Sequence, residues 1–459
     1  MTIDITRTGA ESLRGLCGGR VHLPGDPGYD AARVAWNLAV DQRPAAVALP
    51  RDAAEVVEVV RSAAAAGLRV APQTTGHNAG PLAGRGLDGV VLLRLSGLDG
   101  ATADPRHGTV RVGGGTLWEP AVDAAAAHGS AVLHGSSPDV GIAGYTLGGG
   151  IGWYARKLGL AANSLTAVEM VLADGTQVRV DAEHDADLFW AVRGGGGSFG
   201  VVTALELRSF PISTAYAGFL LWDLADVEPV LREWAAWAPE APDEVTTSFR
   251  AMRLPPLPEL PEFLRGRSVA VIDGAMLGSD ERGAELLSGL RALRPEVDTF
   301  GRVPAKSLVR LHMDPEGGAP AVSGSSMLHS FPDAAVDAFL AEAGPDAHTS
   351  LMAAELRQLG GALGRPDPTG GALAGLDGQF LTFAAAMVFD ADSAARGLAD
   401  AARLGEALAP FDNGRAYLNF AETPVSTRSA YGVDRWERLT RLRAVVDPDG
   451  LFAANHPVE

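Results

Sequence analysis

The chain has 459 residues, 47% of them hydrophobic and 20% charged, with a formal net charge of −18. That length can bury a large core over roughly two or three domains. The acidic balance argues against nucleic acid and against an anionic membrane surface, which both need clustered Lys and Arg. Cys17 is the single cysteine, so neither an intramolecular disulfide nor a cysteine metal cluster is available, and the ten histidines show no metal-ligand spacing.

Taken in chain order, Met1–Arg7 lacks the basic stretch and apolar run of a leader, and no apolar run approaches the ~18 residues that span a bilayer. A cytoplasmic protein is expected. Residues 43–48 read as a strand. Asp52 caps a helix, with Glu55 three residues on completing a capping box. That helix directs Val56, Val57, Val59, Val60 and Ala63 to the core and stops at Gly67. The strand Leu68–Pro72 completes a β-α-β unit. Val90–Leu93 and Thr109–Val112 are further strands, Thr116–His128 is an Ala-rich helix, and Ala131–His134 a short strand. After a glycine-rich stretch come a strand at Ala167–Leu172, an Asp174-Gly175 hairpin turn, and a strand at Gln177–Val180. Asp185–Val192 is a helix and Gly200–Leu207 a strand, with a boundary near Pro211.

From residue 213 to about 410 the pattern changes. Strands at Ala217–Trp222, Val269–Ile272 and Phe380–Val388 alternate with helices such as Val227–Trp237 and Glu281–Leu293, around a proline-rich loop at Leu254–Pro261. This is an α+β unit on an antiparallel sheet. Tyr417–Glu459 reads as strand, helix and tail, with Asp447-Pro448-Asp449-Gly450 ending the helix.

Two segments carry chemistry. Gln73-Thr74-Thr75-Gly76-His77-Asn78-Ala79-Gly80 follows a strand, and its free backbone amides suit a pyrophosphate. Between positions 135 and 152 there are seven glycines, each costing ~0.5–1 kcal/mol in regular structure relative to alanine. Ile142, Tyr145, Leu147, Ile151 and Trp153 punctuate them with core-type side chains, so the glycines serve close packing, positive φ or ligand approach rather than a linker. A third cluster, Arg193 to Val202, runs glycines straight into a strand. No Rossmann fingerprint or Walker lysine is present.

Together these segments resemble the vanillyl-alcohol-oxidase superfamily, and more closely the bacterial berberine-bridge-enzyme-like and hydroxynicotine-oxidase-like FAD-linked oxidases. The resemblance runs from Arg43-Pro44 through Asp187–Gly197 and Tyr417-Leu418-Asn419-Phe420 to Asp447–Phe452. It implies a two-subdomain PCMH-type FAD-binding domain over residues 1–212, a substrate domain over 213–412 whose antiparallel sheet is covered by helices, and a C-terminal segment, 413–459, returning to the first domain.

The same resemblance implies FAD attached covalently through His77 to the flavin 8α carbon. Thr74, Thr75, Gly76, Asn78 and Ala79 then wrap its pyrophosphate. Gly135, Ser136, Val140, Gly141, Gly144, Tyr145, Gly149, Gly200, Val202, Tyr417 and Asn419 are its other contacts. Some members add a cysteine bond to C6; Ser137 stands there here, so one bond is expected. Valine at position 140 goes with oxidase rather than dehydrogenase activity. The catalytic tyrosine that many members carry is Phe420 here. Glu355, on a strand face shared with Leu351, Ala353 and Arg357, is the first replacement base, with a carboxyl pKa raised by an apolar pocket; Tyr417 and His134 follow. Trp222, Phe249, Met252, Met327, Phe383 and Met387 are candidate pocket residues. The expected activity is oxidation of a small organic alcohol or amine, hydride passing to the flavin and dioxygen yielding hydrogen peroxide. A dehydrogenase with another acceptor, or a catalytically silent flavin-binding protein, are the alternatives.

Overall fold

The computed structural model describes residues 9–258 and 260–459. Met1–Arg7, read above as lacking a leader, lies outside the described residues, as does Glu259 of the proline-rich loop. No helix among the described residues is long and apolar enough to cross a membrane.

The first lobe holds two sheets. Its four-stranded sheet runs Val21–His22, Ala46–Ala48, Val90–Arg94, Arg69–Gln73; the first pair is antiparallel and the others parallel. The helix Ala53–Ala65 crosses between the parallel strands. The Asp52 carboxylate accepts the Glu55 amide at 2.9 Å, while the Glu55 carboxylate takes the Arg51 amide at 2.7 Å rather than that of Asp52, so the reciprocal box is displaced by one residue. Val56, Val59, Val60 and Ala63 lie at the i, i+3, i+4, i+7 positions of one helical stripe and are fully buried; Val57, off the stripe, is half-buried. The second, antiparallel sheet runs Ala101–Asp104, Thr109–Gly113, Val201–Arg208, Leu165–Val171, Gln177–Asp181. The strand expected at Ala131–His134 is reduced to one bridge, Ala131 with Phe210. Beyond it the His134 carbonyl packs on Gly152, where a Cβ would lie 1.9 Å from it.

An eight-stranded antiparallel sheet forms the second lobe. Val245–Arg253 and Ala321–Leu328 belong to it, both missed in the sequence, and Ala353–Gln358 pairs between Val245–Arg253 and Phe380–Met387. Alternation sorts its faces. Phe249, Ala251, Ala354, Leu356, Phe380 and Ala384 pack into one core with Trp234 and Phe339 of the covering helices. Glu355 and Arg357 take the opposite face, towards the first lobe. Leu351, expected beside them, precedes the strand and packs with the helices. The predicted helix Glu281–Leu293 is two, Asp280–Leu286 and Ser288–Ala292.

The C-terminal segment closes on the first lobe. Tyr417, expected in a strand, precedes a 3₁₀ turn at Leu418–Phe420. The helix Val433–Val446 ends at Asp447, whose carboxylate accepts the Leu451 and Phe452 amides. Val70 then donates to the Leu451 carbonyl and accepts from the Ala453 amide, so the tail adds an edge to the strand that leads to His77.

Candidate functional site

Three segments distant in sequence meet at one place: residues 74–80, 135–153 and 417–422. Thr74 packs so tightly on Gly141 that a Cβ there would lie 2.8 Å from it, and the Thr74 hydroxyl donates to the Gly114 carbonyl at 3.2 Å. Asn78 donates to the Leu418 carbonyl at 3.0 Å, and Asn419 donates to the Tyr145 carbonyl at 2.9 Å. Gly148 is compulsory, because a Cβ would meet the Asn419 side chain at 1.8 Å. Gly149 (φ +118) and Gly150 (φ +79) make the turn that brings Tyr417 and Tyr145 against the backbone.

His77 is held rather than free. Its ring stacks on Trp36 with centroids 4.0 Å apart at 16°, and its Nδ1 lies 2.7 Å from the Thr75 hydroxyl. Nε2 is buried with no hydrogen-bond partner, 3.8 Å from Asp139. Burial pushes the ring's pKa down to about 4, against the pull of Asp139 and Asp314, so at neutral pH it is an uncharged imidazole with a lone pair. Asp139 in turn accepts from the Trp36 indole (2.7 Å), the Ser137 hydroxyl (2.8 Å) and the Gly317 amide (2.9 Å). Burial opposes its charge, but those donors outweigh burial and keep its pKa below the usual range. Neither Trp36 nor Asp139 was among the residues expected at this site. Asp139 was readable as an acid two residues from the Ser137 position; Trp36 had no local signal.

Around this histidine the structure offers a cradle. Gly144 is exposed in the short helix Ile142–Leu147, which starts at Gly141, and nothing lies within 4 Å of where its Cβ would be. Val140, half-buried, and Ser136 flank it. Asn78 has a buried, unpartnered Oδ1 beside the same loop, and Thr75 and Ala79 sit on either side of the Gly76 turn (φ +81). Gly135 admits the Tyr145 ring, which meets Trp118 edge-on at 5.2 Å. Gly200 and Val202 lie deeper: Gly200 leaves room for the Met170 side chain, and Val202 is buried in the antiparallel sheet's core.

The second lobe covers this region with an ionic cluster. The Arg357 Nε is 2.6 Å from Glu355, and the protonated His312 ring bridges Asp273 (Nδ1, 2.7 Å) and Glu355 (Nε2, 3.4 Å). Arg250 pairs with Asp273 at 2.6 Å and donates to the His312 carbonyl. Burial and Arg250 work against the His312 charge, but Asp273, Asp314 and Glu355 carry its pKa up to about 9. The Arg357–His312 approach of 3.3 Å is therefore a contact between two donors. None of Arg250, Asp273 or His312 was legible as a site residue, since each comes from a different strand or loop.

Glu355 is not the base expected. Burial alone would raise its pKa, but Arg357 and His312 overcome it and bring the carboxyl down to about 2. The apolar pocket assumed in the sequence contains two cations. Tyr417 is also committed: its hydroxyl accepts from the Gly150 amide (2.9 Å) and Asn419 (3.2 Å), and burial raises its pKa. His134 donates Nδ1–H to the Gly135 carbonyl at 2.6 Å and sits in the core near Trp118 and Tyr154. Phe420 stacks on Tyr417 at 5.6 Å, meets Phe383 edge-on at 5.3 Å, and lies 4.9 Å from the Arg357 guanidinium. Of the expected pocket residues Phe383 lies there, and Met327 lines a cavity with Tyr417 and Phe420. Trp222 and Phe249 belong to the helix-side core, Met327 is buried in the inter-lobe core, Met252 joins a peripheral cluster, and Met387 is half-buried at a strand end.

Residues 44–181 match the family model for an FAD binding domain. (R)-6-hydroxynicotine oxidase of Paenarthrobacter nicotinovorans is 35% identical over 205 residues, 44% of this chain and 44% of that protein. The chain aligns with less than half the length of such curated relatives. The solved structure of BBE-like 1 from Physcomitrella patens superposes over 99% of both chains with a TM-score of 0.84 at 22% identity. A structure of the 6-S-cysteinyl, 8α-N1-histidyl FAD glucooligosaccharide oxidase from Acremonium strictum superposes over 96% of both with a TM-score of 0.79 at 22% identity. Residues 44–181 thus form an FAD-binding domain, in a chain with the fold of the berberine-bridge-enzyme-like and hydroxynicotine-oxidase structures.

Proposed function

We propose that this protein is an FAD-dependent oxidase of a small organic alcohol or amine, with the flavin bonded to His77 alone. The observation that carries it is the neutral, clamped imidazole of His77, with an unpartnered buried nitrogen, beside a glycine cradle inside an FAD-binding domain. Bound FAD supplies a hydride acceptor for a substrate C–H and passes the two electrons to dioxygen, giving hydrogen peroxide. His77 would hold the flavin through a ring nitrogen, and that attachment would need a two-electron oxidant such as dioxygen. Trp36 would fix the ring plane for that bond, the Thr75 hydroxyl 2.7 Å from Nδ1 would set the tautomer, and Asp139 stands 3.8 Å from Nε2. Ser137 donates to Asp139 and offers no thiolate, so a second bond is absent. The glucooligosaccharide oxidase structure, with its cysteinyl and histidyl FAD, supports a histidine link in this fold.

Each remaining residue has a physical task. Tyr417 and Asn419 pin the 148–150 turn. The Phe420 and Phe383 rings make an apolar wall for the substrate, and Arg357 sets a positive charge at its edge. Glu355 is held by Arg357 and phenylalanine stands at 420, so neither expected base is free at this wall. Reaction therefore favours a neutral amine, or an alcohol whose oxygen Arg357 stabilises as its proton leaves. Val140, half-buried beside the cradle, is the valine that the resemblance ties to oxidase activity. We place the protein in the cytoplasm on its sequence.

The test begins with acid precipitation of the purified protein: yellow colour must stay with the polypeptide, and a His77 peptide must carry the flavin mass. Anaerobic mixing with an alcohol and amine panel must then bleach the flavin, and air must restore it within seconds. Bleaching without reoxidation by air would replace the oxidase with a dehydrogenase, and no bleaching across the panel would leave a flavin-binding protein.

A further inference from the structure

A cavity of about 280 Å³ lies between the strand Ala321–Leu328 and the C-terminal segment, lined by Ser323, Met327, Tyr417, Phe420, Glu422 and Val425 among others. One water needs about 10–15 Å³ by this measure, so the space takes a small organic molecule. It reaches Phe420, part of the wall assigned above to the substrate, and Tyr417 beside the glycine turn.

Glu422 is an acid of this cavity that no cation claims. It stands two residues past Phe420, and its carbonyl leaves no room for a Cβ at Gly80, three residues after His77. The segment that carries it is thus pressed between the His77 loop and the substrate-domain sheet. Among the described residues no Lys, Arg or His forms an ion pair with its carboxylate, although buried charges are ordinarily paired. Burial pushes its pKa up from the ordinary 4.5, and only the Ser323 hydroxyl pulls against that. Ser323 is 5% exposed, and its Oγ has no further partner.

The other ionisable groups around the cavity are engaged elsewhere or stand at its rim. Asp412 accepts the Gly414 amide at 2.6 Å, and Arg415 is exposed. The Tyr417 hydroxyl is committed to Gly150 and Asn419, and His456, on the tail, spends its Nε2–H on the Ala421 carbonyl at 2.8 Å. Glu355 and Glu422 therefore differ in kind: the first is held charged by Arg357 and His312, the second lies unpaired beside open space. Two carboxyls whose surroundings drive their affinities for a proton apart mark which of them can take one during a reaction.

We propose that Glu422 is the proton acceptor for an alcohol substrate lodged in this cavity. This role rests on the oxidase reading, which supplies the hydride acceptor. The alcohol O–H bond breaks and its proton passes to the Glu422 carboxylate, while the C–H hydrogen leaves with both electrons to bound FAD and a C=O bond forms. The alcohol is oxidised, FAD is reduced, and Glu422 returns its proton to water at the exposed rim by Arg415.

Anaerobic stopped flow of the flavin-loaded protein with benzyl alcohol and with benzylamine tests this. Glu422→Gln keeps the shape of the side chain, and attached flavin and melting temperature report that the variant is folded. Its limiting rate of flavin bleaching by benzyl alcohol is expected to fall by about 10²-fold or more, the usual contribution of a general base, with little change in the alcohol concentration at half-saturation. Bleaching by benzylamine, whose neutral form brings its own lone pair, falls far less. In the wild type the alcohol rate rises with pH as Glu422 gives up its proton. Ser323→Ala removes the hydroxyl that favours the charged form, so that rise moves to higher pH, and it is read even where Glu422→Gln does not fold. A Glu422→Gln rate near that of the wild type, equal losses with alcohol and amine, or an unmoved rise in Ser323→Ala overturns the proposal. Should the wild-type flavin stay yellow with the whole alcohol and amine panel, the oxidase reading fails, and infrared titration of the flavin-loaded protein decides on Glu422 by itself. A carboxylic acid band that is missing from Glu422→Gln and titrates above the ordinary glutamate value supports a proton acceptor; its absence overturns it.

Discussion

Glu355→Gln separates a structural carboxylate from a catalytic base. Glu355 is 3% exposed, 2.6 Å from Arg357 and 3.4 Å from His312, so the substitution leaves two buried cations short of one counter-charge. Removing one partner of a buried pair costs about 3–5 kcal/mol. Linkage gives a similar figure. The gap between the ordinary carboxyl value of 4.5 and about 2 is worth about 3 kcal/mol, at about 1.4 kcal/mol per tenfold change in proton affinity. A folded-state pKa below the unfolded one means this stability is present above pH 4.5 and lost as pH falls towards 2. His312 works in the opposite sense: raised from 6.5 to about 9, its contribution is complete below 6.5 and lost as pH rises through 9. In Glu355→Gln the His312 charge loses one of its supports, so its alkaline loss begins at lower pH. For a folding unit of about 150–250 residues, 1 kcal/mol moves the midpoint by about 2–4 °C. Melting curves at mildly acidic pH should therefore show Glu355→Gln lower by about 10 °C, and by more at alkaline pH. The double variant Glu355→Gln with Arg357→Met should recover most of the loss, because it removes the uncompensated cation. A loss below about 2 °C in the single variant, or a double variant no better than the single, would refute this account of the cluster.

Other outcomes follow from the first lobe. His77→Ala should yield protein whose flavin separates on acid precipitation, and Asp139→Asn should lower the bound fraction at neutral pH without abolishing it, both read by mass spectrometry. Trp36→Ala removes the stack that fixes the imidazole and should slow flavin attachment, followed as adduct against time after adding FAD to flavin-free protein. Phe420→Tyr supplies a phenol beside Arg357, which favours its ionised form; alcohol reduction of the flavin should rise by about 10²-fold, within the usual contribution of a general base, measured by anaerobic stopped flow. Gly152→Ala would drive its Cβ to 1.9 Å from the His134 carbonyl, and soluble expression should fall sharply.

Much of the first lobe was legible because its information is local. The Asp52 cap, the valine stripe and the loop after Arg69–Gln73 are each written within a dozen residues, and the glycines at 148–150 announced a close approach before any partner was known. The charge state of Glu355 was not legible. The strand pattern gave its face, but its neighbours come from Val245–Arg253, Ser268–Met276 and the loop at His312, and only cross-strand register sets them beside it. A carboxyl pKa depends on the charges within a few ångströms, which are long-range in sequence. Trp36 and Asp139, 41 residues before and 62 after His77, show the same division: sequence marked the histidine, while packing of separate segments supplied its clamp, its neutral state and the carboxylate that faces it.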